Sequence, residues 1–493
     1  MDTSLPPELV QARDEIVEYA RSYGLDFFDT IFEMVDYDEI NSLASLEGFP
    51  VRYPHWRFGM NYDQMSKGYE WGMQKIYEMV INTDPSYAYL LRSNPMVDQK
   101  MVMAHVYGHV DFFKNNQWFS KTNRKMLDTM ANHAVRIRNY MDIFGQDTVE
   151  SFIDQCLSID NLIDPHLPFQ VKSIEDSKPE EEKDSQPGKI RVERSYMESF
   201  INPKEFLDEQ KKRFDEQKKV SKRVPEKPEK DVLKFLIDYA PLEQWQSDVL
   251  SIIRDEAYYF APQRQTKIMN EGWASYWHSK IMTQKALKDS EILDFAQNHA
   301  GAMAMSPGRI NPYKIGIELF RDIEDRWNRG AFGKEYDECT DLQVKFAWDK
   351  KLGKGKEKIF QVRRVDNDIT FIDNYLTEEF VDRYQLYTYE FNRRTNQFEI
   401  AERDFKKVKE KLLNQLTNMG QPFIFVSDLN FENRGELLLW HHHQGIDLDL
   451  RWAKETMSNI SKIWNRPVNL QTESENQKKL LTYSSGEFKE KLI

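Results

Sequence analysis

His105 and His109 stand four residues apart in Met103-Ala104-His105-Val106-Tyr107-Gly108-His109-Val110-Asp111. On a helix that spacing projects both imidazoles from one face, about one turn apart, where they can share a metal ion. The pattern is that of the H-E-x-x-H metallohydrolase helix with one difference. Position 106 is valine, where such helices carry the water-activating glutamate, and position 108 is glycine, so the inverted H-x-x-E-H order is absent too.

A second segment, Asn270-Glu271-Gly272-Trp273-Ala274-Ser275-Tyr276-Trp277-His278, places Glu271, Ser275 and His278 at i, i+4 and i+7, again on one helical face. A glutamate on a later helix is the usual third ligand in one class of zincins, and Glu271-Gly272-Trp273-Ala274 is similar to that helix. His105, His109 and Glu271 are therefore the expected ligands of one divalent metal, zinc or another. Gly272 in mid-helix costs about 1 kcal/mol relative to alanine, which points to the close approach of another backbone.

If the centre hydrolyses anything, its general base must come from outside the first motif. Glu256 shares a helix face with Ile252 and Val249, and is the first candidate, its alternative being a partner for a core arginine. His278 is the second. His133 is a possible fourth ligand or supporting residue. His55, in Tyr53-Pro54-His55-Trp56-Arg57-Phe58, suits an aromatic pocket, and His299 and Arg309 flank a Gly/Met/Pro-rich turn that could close over the site. In His441-His442-His443 strand alternation puts the outer two on one face, although one inward-packing ring and two solvated ones fit equally.

These residues need helices to position them. Three- and four-residue apolar spacing predicts helices over Pro7–Tyr23, Asp63–Val80, Asp98–Asn115, Ser120–Phe144, Val149–Ile159, Pro241–Phe260, Thr266–Lys288, Ser290–Met303 and Ile315–Trp327. From about Leu342 the period changes. A hairpin is expected from Leu342–Trp348 and Ile359–Val365, with strands at Ile369–Ile372, Tyr384–Phe391, Phe423–Leu429 and Glu436–His441, and helices at Phe405–Thr417 and Leu450–Trp464. The fold class expected is α+β: a large, mainly α-helical, zincin-like domain followed by a smaller C-terminal α+β domain. The helical domain spans 1–172 and 232–335, the C-terminal domain 336–475, and a tail 476–493. Between the helical parts, residues 173–231 hold 15 Lys/Arg, 16 Asp/Glu and five prolines, the composition of a solvated, flexible insertion.

Composition limits the function. The 493 residues carry a net charge of −13, which argues against nucleic acid as a partner. Two cysteines, Cys156 and Cys339, cannot build a disulfide framework. With no signal-like start and no apolar run of membrane-spanning length, the expectation is a cytoplasmic protein without membrane insertion. P-loop, Glu-x-x-His and G-x-S-x-G signatures are missing.

Several long segments carry a resemblance to a known family. They are Gly48-Phe49-Pro50-Val51-Arg52-Tyr53-Pro54-His55-Trp56-Arg57-Phe58-Gly59, Lys75-Ile76-Tyr77-Glu78-Met79-Val80-Ile81-Asn82, Ala104-His105-Val106-Tyr107-Gly108-His109, Asp111-Phe112-Phe113-Lys114-Asn115-Asn116, Lys267-Ile268-Met269-Asn270-Glu271-Gly272-Trp273-Ala274, Ile310-Asn311-Pro312-Tyr313-Lys314 and Asn465-Arg466-Pro467-Val468. Through them the chain resembles the stage V sporulation protein R (SpoVR) family, bacterial proteins linked to spore cortex peptidoglycan. The resemblance implies a role in cell-envelope or stress physiology, through envelope-regulating partners or cytoplasmic precursors, and names no reaction; a kinase is a partner expected only on the non-catalytic reading below. Two activities stay open: hydrolysis of an amide in a peptide or muropeptide, and a non-catalytic regulatory role on a degenerate metallopeptidase-like fold. Two histidines and a carboxylate would also suit a non-haem iron oxygenase.

Overall fold

Helical periodicity is realised over most of the first half of the chain. The structure is a computed structural model that describes residues 4–70, 78–170 and 224–493. Most of the charged stretch expected as an insertion, and the 71–77 part of the expected Asp63–Val80 helix, lie outside the described residues. The chain divides into two compact units, Met1–Glu150 with Tyr258–Gln421, and Ser151–Ala257 with Pro422–Ile493, and the expected boundaries at 172, 335 and 475 do not coincide with that division.

The first unit is built on three helices: Met96–Asn115 (the His helix), Lys267–Ile281 (the Glu helix) and Pro312–Arg329 (the Tyr helix). The first two are buried on nearly every side, as a helix in the middle of a core must be. Small residues let them meet. A Cβ on Gly108 would lie 2.6 Å from Ala274 Cα, and Gly272 and Gly316 abut backbone to backbone, leaving no room for a side chain on either. The glycine in the Glu helix thus marks a close approach, as its sequence position suggests.

Two buried carboxylates fix these helices. Asp368 accepts hydrogen bonds from the amides of Ile268 (2.8 Å) and Met269 (2.9 Å), serving the N-terminus of the Glu helix, whose own Thr266 supplies no side-chain cap. Asp111 accepts from Trp273 Nε1 and from the Asp26 amide, both at 2.7 Å, with Arg363 3.5 Å away. Burial pushes the Asp111 carboxyl up to about 6 despite Arg363, and that of Asp368 up to about 7.

Against this core lies a three-stranded sheet of β1 (Thr30–Val35), β2 (Glu78–Ile81) and β3 (Ser86–Leu91), in the order β1-β3-β2, with β1 parallel to β3. A separate hairpin joins β4 (Thr388–Asn392) and β5 (Gln397–Glu402).

In the second unit, β6 (Ile424–Phe431), β7 (Glu436–His441), β8 (Val468–Ser474), β9 (Gln477–Ser484) and β10 (Glu487–Leu492) form one sheet ordered β10-β9-β8-β7-β6, antiparallel except for the parallel β7–β8 pair. The helix Leu450–Trp464 makes that crossover, burying Met457, Ile460, Ile463 and Trp464. The β6 edge receives Glu229, which exchanges backbone hydrogen bonds with Val426, so the last residues of the charged stretch pair with a sheet.

Three expectations are corrected. The hairpin expected from Leu342–Trp348 and Ile359–Val365 is a pair of helices, Leu342–Phe346 and Gly355–Val365; in the latter only Ile359, Val362 and Arg363, together with Gly355, are buried, a helical spacing that the β-branched residues obscure. Ile369–Ile372 belongs to the helix Asp368–Tyr375, started by an Asn367 capping box. The 476–493 tail forms β9 and β10, pinned by Leu481, which is fully buried. Among the described residues, no helix is long and apolar enough to cross a membrane.

Candidate metal centre

The sequence placed His105 and His109 on one helix face and Glu271 on another helix, and packing through Gly108 and Ala274 brings those faces together. One donor atom from each of the three residues lies within 4.8 Å of the others. Glu271 Oε2 is 3.5 Å from His105 Nε2 and 3.5 Å from His109 Nε2. Both distances are too long for good hydrogen bonds, and Glu271 Oε2 is buried with no hydrogen-bond partner. Two donors about 2.1 Å from a tetrahedral zinc ion stand about 3.4 Å apart, so the two carboxylate–imidazole separations fit such a metal.

Neighbouring groups orient the three side chains. His109 Nδ1 lies 2.9 Å from Asn270 Oδ1, an acceptor, so Nδ1 carries the proton and the Nε2 lone pair faces Glu271. His105 Nδ1 lies 2.8 Å from His278 Nδ1, and His278 Nε2 lies 3.1 Å from His299 Nδ1. With the lone pair of His105 on Nε2, the chain assigns itself: His105 Nδ1–H donates to His278, and His278 Nε2–H donates to His299. Tyr313, from the first turn of the Tyr helix, hydrogen-bonds the Glu271 carboxyl and stacks on the His105 ring at 6.1 Å.

Electrostatics favours a metal-ready protonation state. Burial, helped by His105, lowers His109 to about 4, and burial with the same neighbour takes His278 well below its ordinary value. Burial raises Glu271, but His105, His109 and Tyr313 together outweigh it and hold the carboxyl below the usual range. Burial, then Arg321 and Lys314, lowers His299. Neutral imidazoles and an ionised carboxylate are the forms that ligate metal.

The remaining candidates lie elsewhere. Glu256 is buried but belongs to the second unit, and the cluster does not include it. His133 is buried on the helix Met126–Phe144, outside the cluster. His55 packs among Tyr53, Trp56 and Phe58. His441 bonds Thr472 Oγ1 at 2.9 Å, and His443 bonds Asp447 at 2.8 Å. Asn270 and Tyr313 were not singled out from sequence. Asn270 could have been noticed as the immediate neighbour of Glu271, whereas Tyr313 arrives on a third helix with no spacing to betray it.

Comparison with known proteins agrees over most of the chain. An Escherichia coli (strain K12) protein described as "Uncharacterized protein YcgB" is 29% identical over 491 residues, covering 94% of this chain and 91% of its own. No solved structure matches the chain. The family model described as "SpoVR like protein" matches residues 4–421, a span that includes all three cluster residues, and the chain belongs to the SpoVR family.

Proposed function

We propose that this protein is a mononuclear metalloprotein in which His105, His109 and Glu271 hold one divalent ion, preferentially zinc, on a zincin-like helical core, and that it hydrolyses an amide in a peptide or muropeptide. The carrying observation is the pair of 3.5 Å separations from Glu271 Oε2 to the two imidazole Nε2 atoms, around a buried oxygen with no hydrogen bond. When bound, such an ion polarises a carbonyl and lowers the pKa of a water to near 7.

The chain's own residues orient and donate. Asn270 holds the His109 tautomer, and His278, with both nitrogens engaged, holds that of His105. Tyr313, hydrogen-bonded to Glu271, holds that carboxylate in place and keeps it ionised.

A second reading is favoured by one observation. Val106 occupies the water-activating position and is fully buried in the hydrophobic core. A regulatory protein with a structural ion would tolerate that valine without a substitute base. Elemental analysis of gently purified full-length protein, joined to hydrolysis assays on peptide and muropeptide mixtures, decides between them. Hydrolysis with about one ion per chain supports the enzyme, and an ion without hydrolysis supports the second reading. A metal-free chain at full stability refutes the metalloprotein and leaves a regulatory role without an ion.

A further inference from the structure

The loop that follows the His299-bearing helix Ile292–Ala302 forms one wall of a cleft of ≈ 250 Å³. Ile310, Tyr384, Leu386 and Tyr387 give it an apolar, aromatic part, Gln385, Thr388 and Gln415 a polar one, and Arg309 and Lys411 are its only charged lining residues. Among the described residues neither cation has an ion-pair partner. In a chain of net charge −13, the cleft is thus lined by two cations without an ion-pair partner and by no carboxylate.

The cleft and the metal cluster flank the first turn of the Tyr helix on different faces. Tyr313 contacts Glu271 and His105, while Ile315, two residues on, lines the cleft. Between them Lys314 lies 5.2 Å over the Tyr384 ring and pairs with Glu318 at 2.8 Å, and the Tyr384 hydroxyl donates to the same Glu318 at 2.9 Å. Glu318 therefore satisfies Lys314, and Arg309 and Lys411 are left for an anion from outside.

We infer that this cleft binds the substrate of the metal centre, and that the substrate presents an apolar or aromatic residue bearing a free carboxylate, as at the C-terminus of a peptide. The inference rests on the reading of His105, His109 and Glu271 as the reacting centre. The aromatic interior takes the side chain, and the guanidinium and ammonium groups take the carboxylate, Arg309 through the forked geometry that suits it.

Isothermal titration of the full-length, metal-loaded protein with N-acetyl-L-phenylalanine and with its amide tests this. The acid is expected to bind saturably and about tenfold more tightly than the amide, a difference of about 1.4 kcal/mol. The double variant Arg309→Ala/Lys411→Ala, altered only at exposed side chains, is expected to reduce the acid to the level of the amide. Equal binding of acid and amide, undiminished binding of the acid by the double variant, or no saturable binding overturns the inference. Charge-dependent acid binding to a chain that never retains metal refutes the metal reading alone and leaves the ligand class standing.

Discussion

Both units bury histidines, and they treat them differently. In the five-stranded sheet His441 gives its Nδ1 to Thr472, while His443 pairs with Asp447. Those polar atoms are satisfied within the protein. In the helical unit, three donors from two helices converge, and the carboxylate oxygen they share has no hydrogen bond. Leaving a buried polar atom unsatisfied costs roughly 1–3 kcal/mol, which a sequence under no other demand would remove. Other buried atoms, such as the Trp277 Nε1, also lack a partner, so it is the convergence of three metal-type donors around such an oxygen that sets the helical cluster apart and that the metal reading rests on.

The contrast is broken most directly by deleting one imidazole from each unit. His105→Ala should abolish stoichiometric metal retention, as should Glu271→Ala, while His441→Ala should retain the ion and lower stability by about 1–2 kcal/mol through the lost Thr472 hydrogen bond and the space left by the buried ring. Elemental analysis after gel filtration, with denaturant unfolding, reads both quantities. Equal metal content in His105→Ala and His441→Ala would show that the convergence is incidental.

The next largest effect concerns how the convergence is built. Gly316→Ala would drive a methyl into the backbone of Ile268 and Gly272, where no flexible side chain can move aside. The expected loss is about 3 kcal/mol in urea or guanidinium unfolding, the upper range for overpacking. A loss below about 0.5 kcal/mol would mean that the helices can separate and that the cluster is not rigidly held.

Much of the cluster was legible because each half is local: His105 with His109 within one turn, and Glu271 beside the telltale Gly272. Tyr313 was not, since non-local packing brings its helix alongside, through the Gly272–Gly316 contact and pairs such as Tyr276 with Glu324. The unit division was equally hidden. It depends on non-local association, such as Glu229 with Val426 and β7 with β8, that no periodicity within a segment encodes. The helix Gly355–Val365 was misread because Ile359, Val362 and Val365 carry strand-like side chains at a helical spacing, and tertiary burial of Ile359 and Val362 overrode that propensity.

A smaller effect sharpens what orients a ligand. Asn270→Ala removes the acceptor for His109 Nδ1 and frees the ring to rotate or change tautomer. Metal affinity should fall about 10–100-fold, the usual cost of removing such a partner, with the fold intact by circular dichroism. Competition with a chromophoric chelator measures it. Unchanged affinity would assign the orientation of His109 to packing, for example against Phe113, whose ring stacks on it at 6.0 Å.

The smallest effect returns to the sheet. Burial, then the neighbouring His443 and His442, lowers His441 to about 4 against the weaker pull of Asp447, while an unfolded histidine titrates near 6.5. Because the folded value is the lower one, falling pH protonates the unfolded chain first. The stability this residue contributes is complete above about pH 6.5 and drains away as pH falls towards 4, by about 1 kcal/mol once solvent screening is allowed for. His441→Gln, which keeps a polar group near Thr472, should flatten that part of the pH–stability curve and leave metal content unchanged. A slope that survives the substitution would have to come from other histidines, and the depressed set around His278 and His299 in the helical unit is the next place to look.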